Sequence, residues 1–152
     1  MKSNLETFKA LAKVLGYTVV KKAKRKSKTK KKTGRTQHIT TSKGFIWSKV
    51  RNGWKDNATG IIWYPALKGL YTWEQAKEQA QVLNLDLPTK EDFQTAELHG
   101  FREVLKDMVS NYFWSSSPYP TNSDLAYYFY GDYGGTDYYY RTLTLSVRLC
   151  EK

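Results

Sequence analysis

Few residues of this 152-residue chain are of a type that could do chemistry, and they do not fall into a catalytic pattern. His38 and His99 each lack a cysteine or second histidine nearby in sequence, so both read as surface histidines and not as metal ligands. Cys150 is the only cysteine, which excludes an internal disulfide and any multi-cysteine zinc site. Ser115–Ser117 could offer a nucleophile, but no histidine and carboxylate accompany it at a spacing that suggests a triad. Asp124, Asp132 and Asp137 could hold an ion weakly, and Gly131, Gly134 and Gly135 do not precede a helix as a phosphate loop would. The expectation is a protein that is not an enzyme and carries no cofactor or metal.

Tyrosine is the unusual feature. Residues 112–140 hold nine of the twelve tyrosines, interspersed with Ser, Thr, Asp, Gly and Asn. In an extended segment successive side chains alternate between faces, so Tyr138, Tyr139 and Tyr140 cannot all point inward. By the same alternation Tyr128 and Tyr130 share one face while Tyr127 and Phe129 share the other. An exposed surface of Tyr with small polar residues has the composition of an antibody paratope, where rigid amphipathic rings supply contact area at low entropy cost. Recognition of a partner and self-association into a homo-oligomer are the two uses such a surface suggests.

The elements that must carry this surface divide the chain in two. Residues 1–42 hold 13 Lys/Arg against one acid, Glu6, a balance of +12; residues 43–152 hold 12 Lys/Arg against 13 Asp/Glu, a balance of −1. The net charge of +11 therefore describes an N-terminal arm attached to a nearly neutral body. Within the arm, Ser3 and Glu6 have capping-box spacing, Leu5, Phe8, Leu11, Val14 and Leu15 recur at helical intervals, and Gly16 stands as a terminator. Polar residues inside that pattern mean that it does not read as a secretory signal, and no apolar run is long enough to span a bilayer. Nine of the twelve residues Lys21–Lys32 are basic, which predicts an extended segment over Lys21–Ser42. Lys24, Arg25, Lys26, Lys28, Lys30, Lys31 and Lys32 are the candidates for contact with nucleic acid or another anionic surface. A solubilising linker is the simpler account of the same charges. No aromatic residue interrupts the run, so base stacking is not expected.

In the body, Phe45–Lys49 predicts a strand, Arg51–Gly60 a turn, and Thr59–Tyr64 a turn entering a buried strand. Thr72 and Gln75 form a capping box before Trp73, Ala76, Ala80 and Leu83, which repeat on one helical face. Thr89 caps a second helix whose first turn carries Glu91 and Asp92, and whose inward face is expected to hold Phe93, Ala96 and Leu98. Gly100 breaks that helix, and Phe101–Met108 adds a further turn or two. Tyr112–Ser116, Ala126–Tyr130 and Tyr139–Leu149 follow as strands or a hairpin. The class is α+β, two helices on a mainly antiparallel sheet.

Six blocks in this order resemble a known family. They are Trp54, Asp56, Thr59, Gly60 and Trp63; Thr72, Trp73 and Ala76; Leu87, Pro88, Thr89 and Phe93; Phe113–Ser116; Ala126–Tyr128; and Ser146–Arg148. Together, over Trp47–Glu151, they are similar to the microbial and phage C-type-lectin-fold domains related to formylglycine-generating enzymes, among them the variable proteins of diversity-generating retroelements. The resemblance implies a C-type lectin-like fold in which aromatics such as Trp63, Trp73, Phe113 and Trp114 form the core, Val147 points inward and Arg148 is paired. Trp114 and Tyr127 would both be scaffold.

The resemblance further implies a solvent-facing surface made by the C-terminal region, where substitutions cluster. By position the candidates are Ser117, Tyr119, Asn122, Asp124, Tyr130, Asp132, Tyr133, Asp137, Tyr138, Tyr140, Thr142 and Thr144. The Tyr, Asp, Ser, Gly and Thr found there are readily reached from Asn codons by adenine-directed mutagenesis. The tripeptides that build a calcium cage in sugar-binding lectins of this fold do not occur, and Cys150 cannot supply the cysteine pair that formylglycine-generating relatives need.

The leading expectation is thus a receptor-binding module, phage, viral or microbial, made in the cytoplasm and associated with a virion. It would engage a protein or glycan on a host or partner surface. The alternative is an intracellular nucleic-acid-associated protein that binds through the Lys-rich arm, with the body as a protein adaptor.

Overall fold

The computed structural model describes residues 35–152. The expected first helix and the basic run Lys21–Lys32 lie outside the described residues.

The body is α+β, with two separate antiparallel sheets where the sequence suggests one. Strands β1 (His38–Thr40), β2 (Ile46–Val50), β3 (Gly53–Asp56), β4 (Ile62–Ala66) and β8 (Arg148–Glu151) form a five-stranded sheet in the order β1-β2-β3-β4-β8. Strands β5 (Tyr112–Pro118), β6 (Leu125–Tyr130) and β7 (Thr136–Tyr140) form a three-stranded sheet in chain order. Helices α1 (Trp73–Leu83), α2 (Lys90–Leu98) and α3 (Phe101–Val104), with a 3-10 turn at Lys106–Met108, lie between β4 and β5 in sequence. The segment before β8 joins the sheets: Ser146 bridges to Phe113 of β5, and Cys150 then pairs with Trp63 of β4.

Local chemistry explains the helix starts. Thr72 accepts from the Gln75 amide while the Gln75 side chain accepts from the Thr72 amide. Thr89 and Asp92 repeat the reciprocal arrangement at α2. Each box satisfies two amides that a helix N-terminus otherwise leaves unpaired. Asn84 ends α1 in the left-handed conformation, a role its short polar side chain tolerates.

Four expectations change. The folded body begins before residue 43: His38–Thr40 pairs with β2, and buried Thr41 donates its hydroxyl to the His99 carbonyl. The predicted turn Arg51–Gly60 contains β3, because Arg51 and Asn52 alone close the hairpin between Val50 and Gly53. A Cβ at Gly53 would lie 2.3 Å from the Trp63 carbonyl oxygen, so glycine permits the close approach of β3 to β4. Leu98 is 67% exposed; at 100° per residue it stands about 140° around the helix from Phe93, away from the core. His99 is not a free surface residue. Its ring stacks on Phe45 at 3.9 Å and its Nδ1 lies 2.6 Å from Asp56 Oδ2.

Asp56 shows why the Trp54–Trp63 block has its residues. Fully buried, it accepts from the Ala58 amide, the Thr59 hydroxyl and the His99 ring, and Gly60 turns the chain at φ +83°. A buried carboxylate requires such partners, and here the loop supplies most of them locally.

Two apolar clusters fill the interior. Trp73, Ala76, Ala80 and Leu83 of α1 pack against Trp114, Ala126, Tyr128 and Val147. Phe93 and Ala96 of α2 pack with Trp47, Trp63, Phe101, Phe113 and Phe129, the Phe93 and Phe129 rings stacked at 5.1 Å. Several polar tips find partners where they enter: Trp73 Nε1 donates to Ser115 O, Trp114 Nε1 to Tyr71 O, and the Ser115 hydroxyl to Tyr127 O, whereas buried Trp63 Nε1 has no hydrogen-bond partner among the described residues. Arg148 is completely buried, and its guanidinium donates to Asp107 and the Tyr64 carbonyl.

Candidate functional site

The three-stranded sheet carries most of the tyrosines, and its register decides where each ring goes. Leu125 to Phe129 of β6 pair with Tyr140 to Thr136 of β7 without a break, Tyr127 opposite Tyr138 and Ala126 opposite Tyr139. Directly opposed residues share a face and neighbours along a strand do not. One face therefore carries Phe113, Tyr127, Phe129, Thr136 and Tyr138. The other carries Tyr112, Trp114, Tyr128, Tyr130, Asp137 and Tyr139.

On the first face, α2 covers Phe113 and Phe129, and Gln94 reaches Thr136 with a hydrogen bond of 3.1 Å. Beyond the start of α2, Tyr119, Tyr127 and Tyr138 form a partly open cluster. Tyr119 lies 4.4 Å from Tyr138 and 5.5 Å from Tyr127, and the Lys90 ammonium sits 4.3 Å over the Tyr127 ring. Tyr127, expected as scaffold, belongs to neither apolar cluster and joins this surface group instead. Trp114 is wholly buried core.

On the second face Tyr128 is the buried floor, and Tyr112, Tyr130 and Tyr139 contact its ring at 5.8, 4.7 and 5.9 Å. Tyr133, in the β6–β7 turn, meets Tyr130 edge-on at 6.1 Å and is 80% exposed. Tyr130 donates its hydroxyl to Asp137. Burial, with the neighbouring Tyr130 hydroxyl, pushes the Tyr128 phenol above its ordinary range, and the Asp132 carboxylate does the same to Tyr112.

The turn that presents Tyr133 is anchored from below. Arg102 pairs with Glu97 at 2.7 Å and donates to the carbonyls of Gly131 and Asp132. A Cβ at Gly131 would lie 1.6 Å from Met108 O, so only glycine fits there, and Gly134 turns the chain at φ +76°. At the opposite end of β7, Tyr140, Asp124, Ser123 and Thr142 line an open groove of about 580 Å³ together with Thr72 and Glu74 at the start of α1. Arg141, also on this groove, stacks its guanidinium 4.0 Å over Trp73.

The sequence candidates are distributed accordingly. Asn122, Asp124, Asp132, Tyr133, Asp137, Tyr138, Tyr140, Thr142 and Thr144 are exposed, while Ser117, Tyr119 and Tyr130 are half-buried. Ser117 has a structural duty, since its hydroxyl accepts from the Lys90 amide at the start of α2. The candidates do not make a single wall; alternation splits the tyrosines between two faces of one thin sheet. Sequence reasoning omitted Tyr112 and Tyr139, both 42% exposed, and Tyr127. Strict alternation along Tyr138-Tyr139-Tyr140 was the signal that pointed to Tyr139.

Among the described residues no three His, Cys, Asp or Glu side chains group closely enough to hold a metal ion, so Asp124, Asp132 and Asp137 do not form a shared site. No helix there is long and apolar enough to cross a membrane. Cys150 is buried between strands, and burial pushes its thiol up to about 12. Comparison with protein-family models and with curated proteins finds no match to this chain.

Proposed function

We propose that this protein is a ligand-recognition module whose contact surface is the β5–β6–β7 sheet and its connecting loops. The observation that carries the reading is the exposure of Tyr133, Tyr138, Tyr139 and Tyr140, 80, 46, 42 and 58%, on a body whose other large aromatics are largely packed inside. Exposed apolar area of this extent, edged by Asp, Asn, Ser and Thr, marks interaction sites on soluble domains. Rings that pack against one another at tilted angles, as Tyr119 does on Tyr138 and Tyr128 on Tyr130, lose less freedom on binding, which lowers the entropy cost of contact.

The finer reading is a C-type lectin-like scaffold with a retroelement-diversified surface, serving a phage, viral or microbial receptor-binding protein that engages a protein or glycan. The order of the six sequence blocks supports it, as does an α+β body of two antiparallel sheets with helices packed on them. The division between buried Trp63, Trp73, Phe113 and Trp114 and exposed Tyr133 and Tyr138 is the arrangement that a rewritable surface needs. Replacing Tyr133, Tyr138 and Tyr140 by Ala should abolish ligand binding with little change in melting temperature. A triple variant that unfolds would show that the rings are structural. The genomic counterpart is a reverse-transcriptase gene beside a near-copy of the codons for residues 115–145, differing mainly at adenines.

The charge balance of +12 over residues 1–42 favours a second reading, attachment to nucleic acid through the Lys-rich arm. A salt titration against duplex DNA with and without the arm separates the two, and unchanged affinity after deletion rejects the second.

A further inference from the structure

We propose that the free edge of β7 binds an extended, lysine- or arginine-bearing segment of a protein partner by strand addition. This deepens the recognition reading, on which it rests, by naming the kind of ligand.

The backbone pattern identifies which groups of β7 are unclaimed. Tyr130 N donates to Gly135 O and Arg141 N to Asp124 O, which sets the phase of the ladder between β6 and β7. In that phase Asp137 and Tyr139 turn their peptide groups to β6, whereas Thr136, Tyr138 and Tyr140 turn theirs outward; the Tyr140 carbonyl accepts from the Leu143 amide, so among the described residues the open backbone groups are those of Thr136 and Tyr138. The Tyr138 amide accordingly donates to the Asp137 carboxylate at 2.8 Å and not to a strand. The opposite edge of the same sheet is closed, since Trp114 N donates to Ser146 O and Ser146 N to Tyr112 O.

Exposed edges usually carry a lysine, a proline or a bulge that prevents pairing. β7, Thr-Asp-Tyr-Tyr-Tyr, has no lysine or proline, and its register with β6 runs without the shifts seen between β4 and β8 or β5 and β6. Among the described residues, what covers its open backbone is the Asp137 carboxylate over the Tyr138 amide.

Charge selects the occupant. Asp132 and Asp137 lie along the edge and are exposed, and the nearby cations among the described residues already have partners: Arg102 pairs with Glu97 and donates to the Gly131 and Asp132 carbonyls, Arg141 lies over Trp73, and Lys90 lies over Tyr127. An incoming strand takes the Tyr138 amide from Asp137, and a basic side chain on that strand gives the carboxylate a new partner. Successive side chains of the same strand point to opposite faces and so meet Tyr138 on one and Tyr139 on the other, each ring open to a cation or an aliphatic stem. A second copy of β7 would bring another Asp137 and no cation, setting two carboxylates near one edge with, among the described residues, only the Tyr130 hydroxyls as donors.

The test uses the full chain and a short acetylated, amidated peptide of alternating Lys and Val. Amide exchange followed by NMR should show the Thr136 and Tyr138 amides slowed about tenfold or more at saturation, while those of Asp137 and Tyr139 are already slow without peptide. A Glu–Val peptide and a Lys–Val peptide N-methylated along one edge should not bind, and Asp137→Asn should weaken the parent peptide severalfold. Equal binding of the Glu–Val or the N-methylated peptide overturns the proposal. Protection of Thr136 and Tyr138 in the free chain also overturns it, since its own arm or a second copy would then hold the edge. If ring-to-Ala variants lose their natural ligand while the Lys–Val peptide never binds, recognition through the rings stands and strand addition falls.

Discussion

Tyr138 and Tyr139 are neighbours in sequence but belong to different surfaces: Tyr138 lies 4.4 Å from Tyr119 on one face of β7, and Tyr139 lies 5.9 Å from Tyr128 on the other. The strand is an edge, so both rings remain reachable from solvent. A single five-residue element thus gives the protein two chemically similar but spatially separate aromatic patches.

Ring pairs on one face should be coupled and pairs across the strand should not. A double-mutant cycle on Tyr119→Ala and Tyr138→Ala, read by urea denaturation, should give a coupling of about 0.5–1.5 kcal/mol. The cycle on Tyr138→Ala and Tyr139→Ala should stay within about 0.5 kcal/mol of additivity. Equal coupling in both cycles would contradict the two-patch arrangement.

The β6–β7 turn should be intolerant at one glycine and tolerant at another. Gly131→Ala drives a methyl into the Met108 carbonyl and should cost about 3 kcal/mol, the upper range for overpacking. Gly135→Ala meets nothing within 4 Å and should stay within about 0.5 kcal/mol of the parent. Chemical denaturation of the two variants side by side is the measurement.

Asp107→Ala should destabilise far more than its half-exposed position suggests. It removes the carboxylate that neutralises Arg148, whose side chain is wholly buried. Breaking a buried pair from one side costs about 3–5 kcal/mol, and partial exposure of Asp107 places this case near 3 kcal/mol. A compensating Arg148→Met in the Asp107→Ala background should recover part of the loss.

Stability should fall at alkaline pH. The Cys150 thiol is pushed by burial from 9.0 to about 12, and the Tyr64 phenol by burial and the adjacent Glu151 from 10.0 to about 12. For both groups the fold favours the protonated form. Their contribution is whole below the unfolded values and is lost as pH rises from about 9 through 12. Melting temperature should therefore decline over that interval, and Cys150→Ala should flatten the decline if it folds.

Much of the scaffold was legible in the chain. The capping box of Thr72 with Gln75 and the N-cap at Thr89 are local chemistry that residue type and spacing announce, whereas the reciprocal bond from Asp92 back to the Thr89 amide emerged with the structure. The burial of Trp73, Ala76, Ala80 and Leu83 follows from helical periodicity alone. Composition likewise required that some of Tyr138–Tyr140 face water, because an extended strand cannot hide three successive rings. What only tertiary structure decided was non-local. Asp56 and His99 are far apart in the chain, and nothing near His99 predicts its carboxylate partner. The separation of β5–β6–β7 from the first sheet, and the tie between them where Ser146 bridges to Phe113 before Cys150 pairs with Trp63, are long-range pairings. Tyrosine counts establish that rings are exposed, but their assignment to two faces and to a free edge depends on strand register and neighbours. Those are set by long-range packing, which no short window of residues contains.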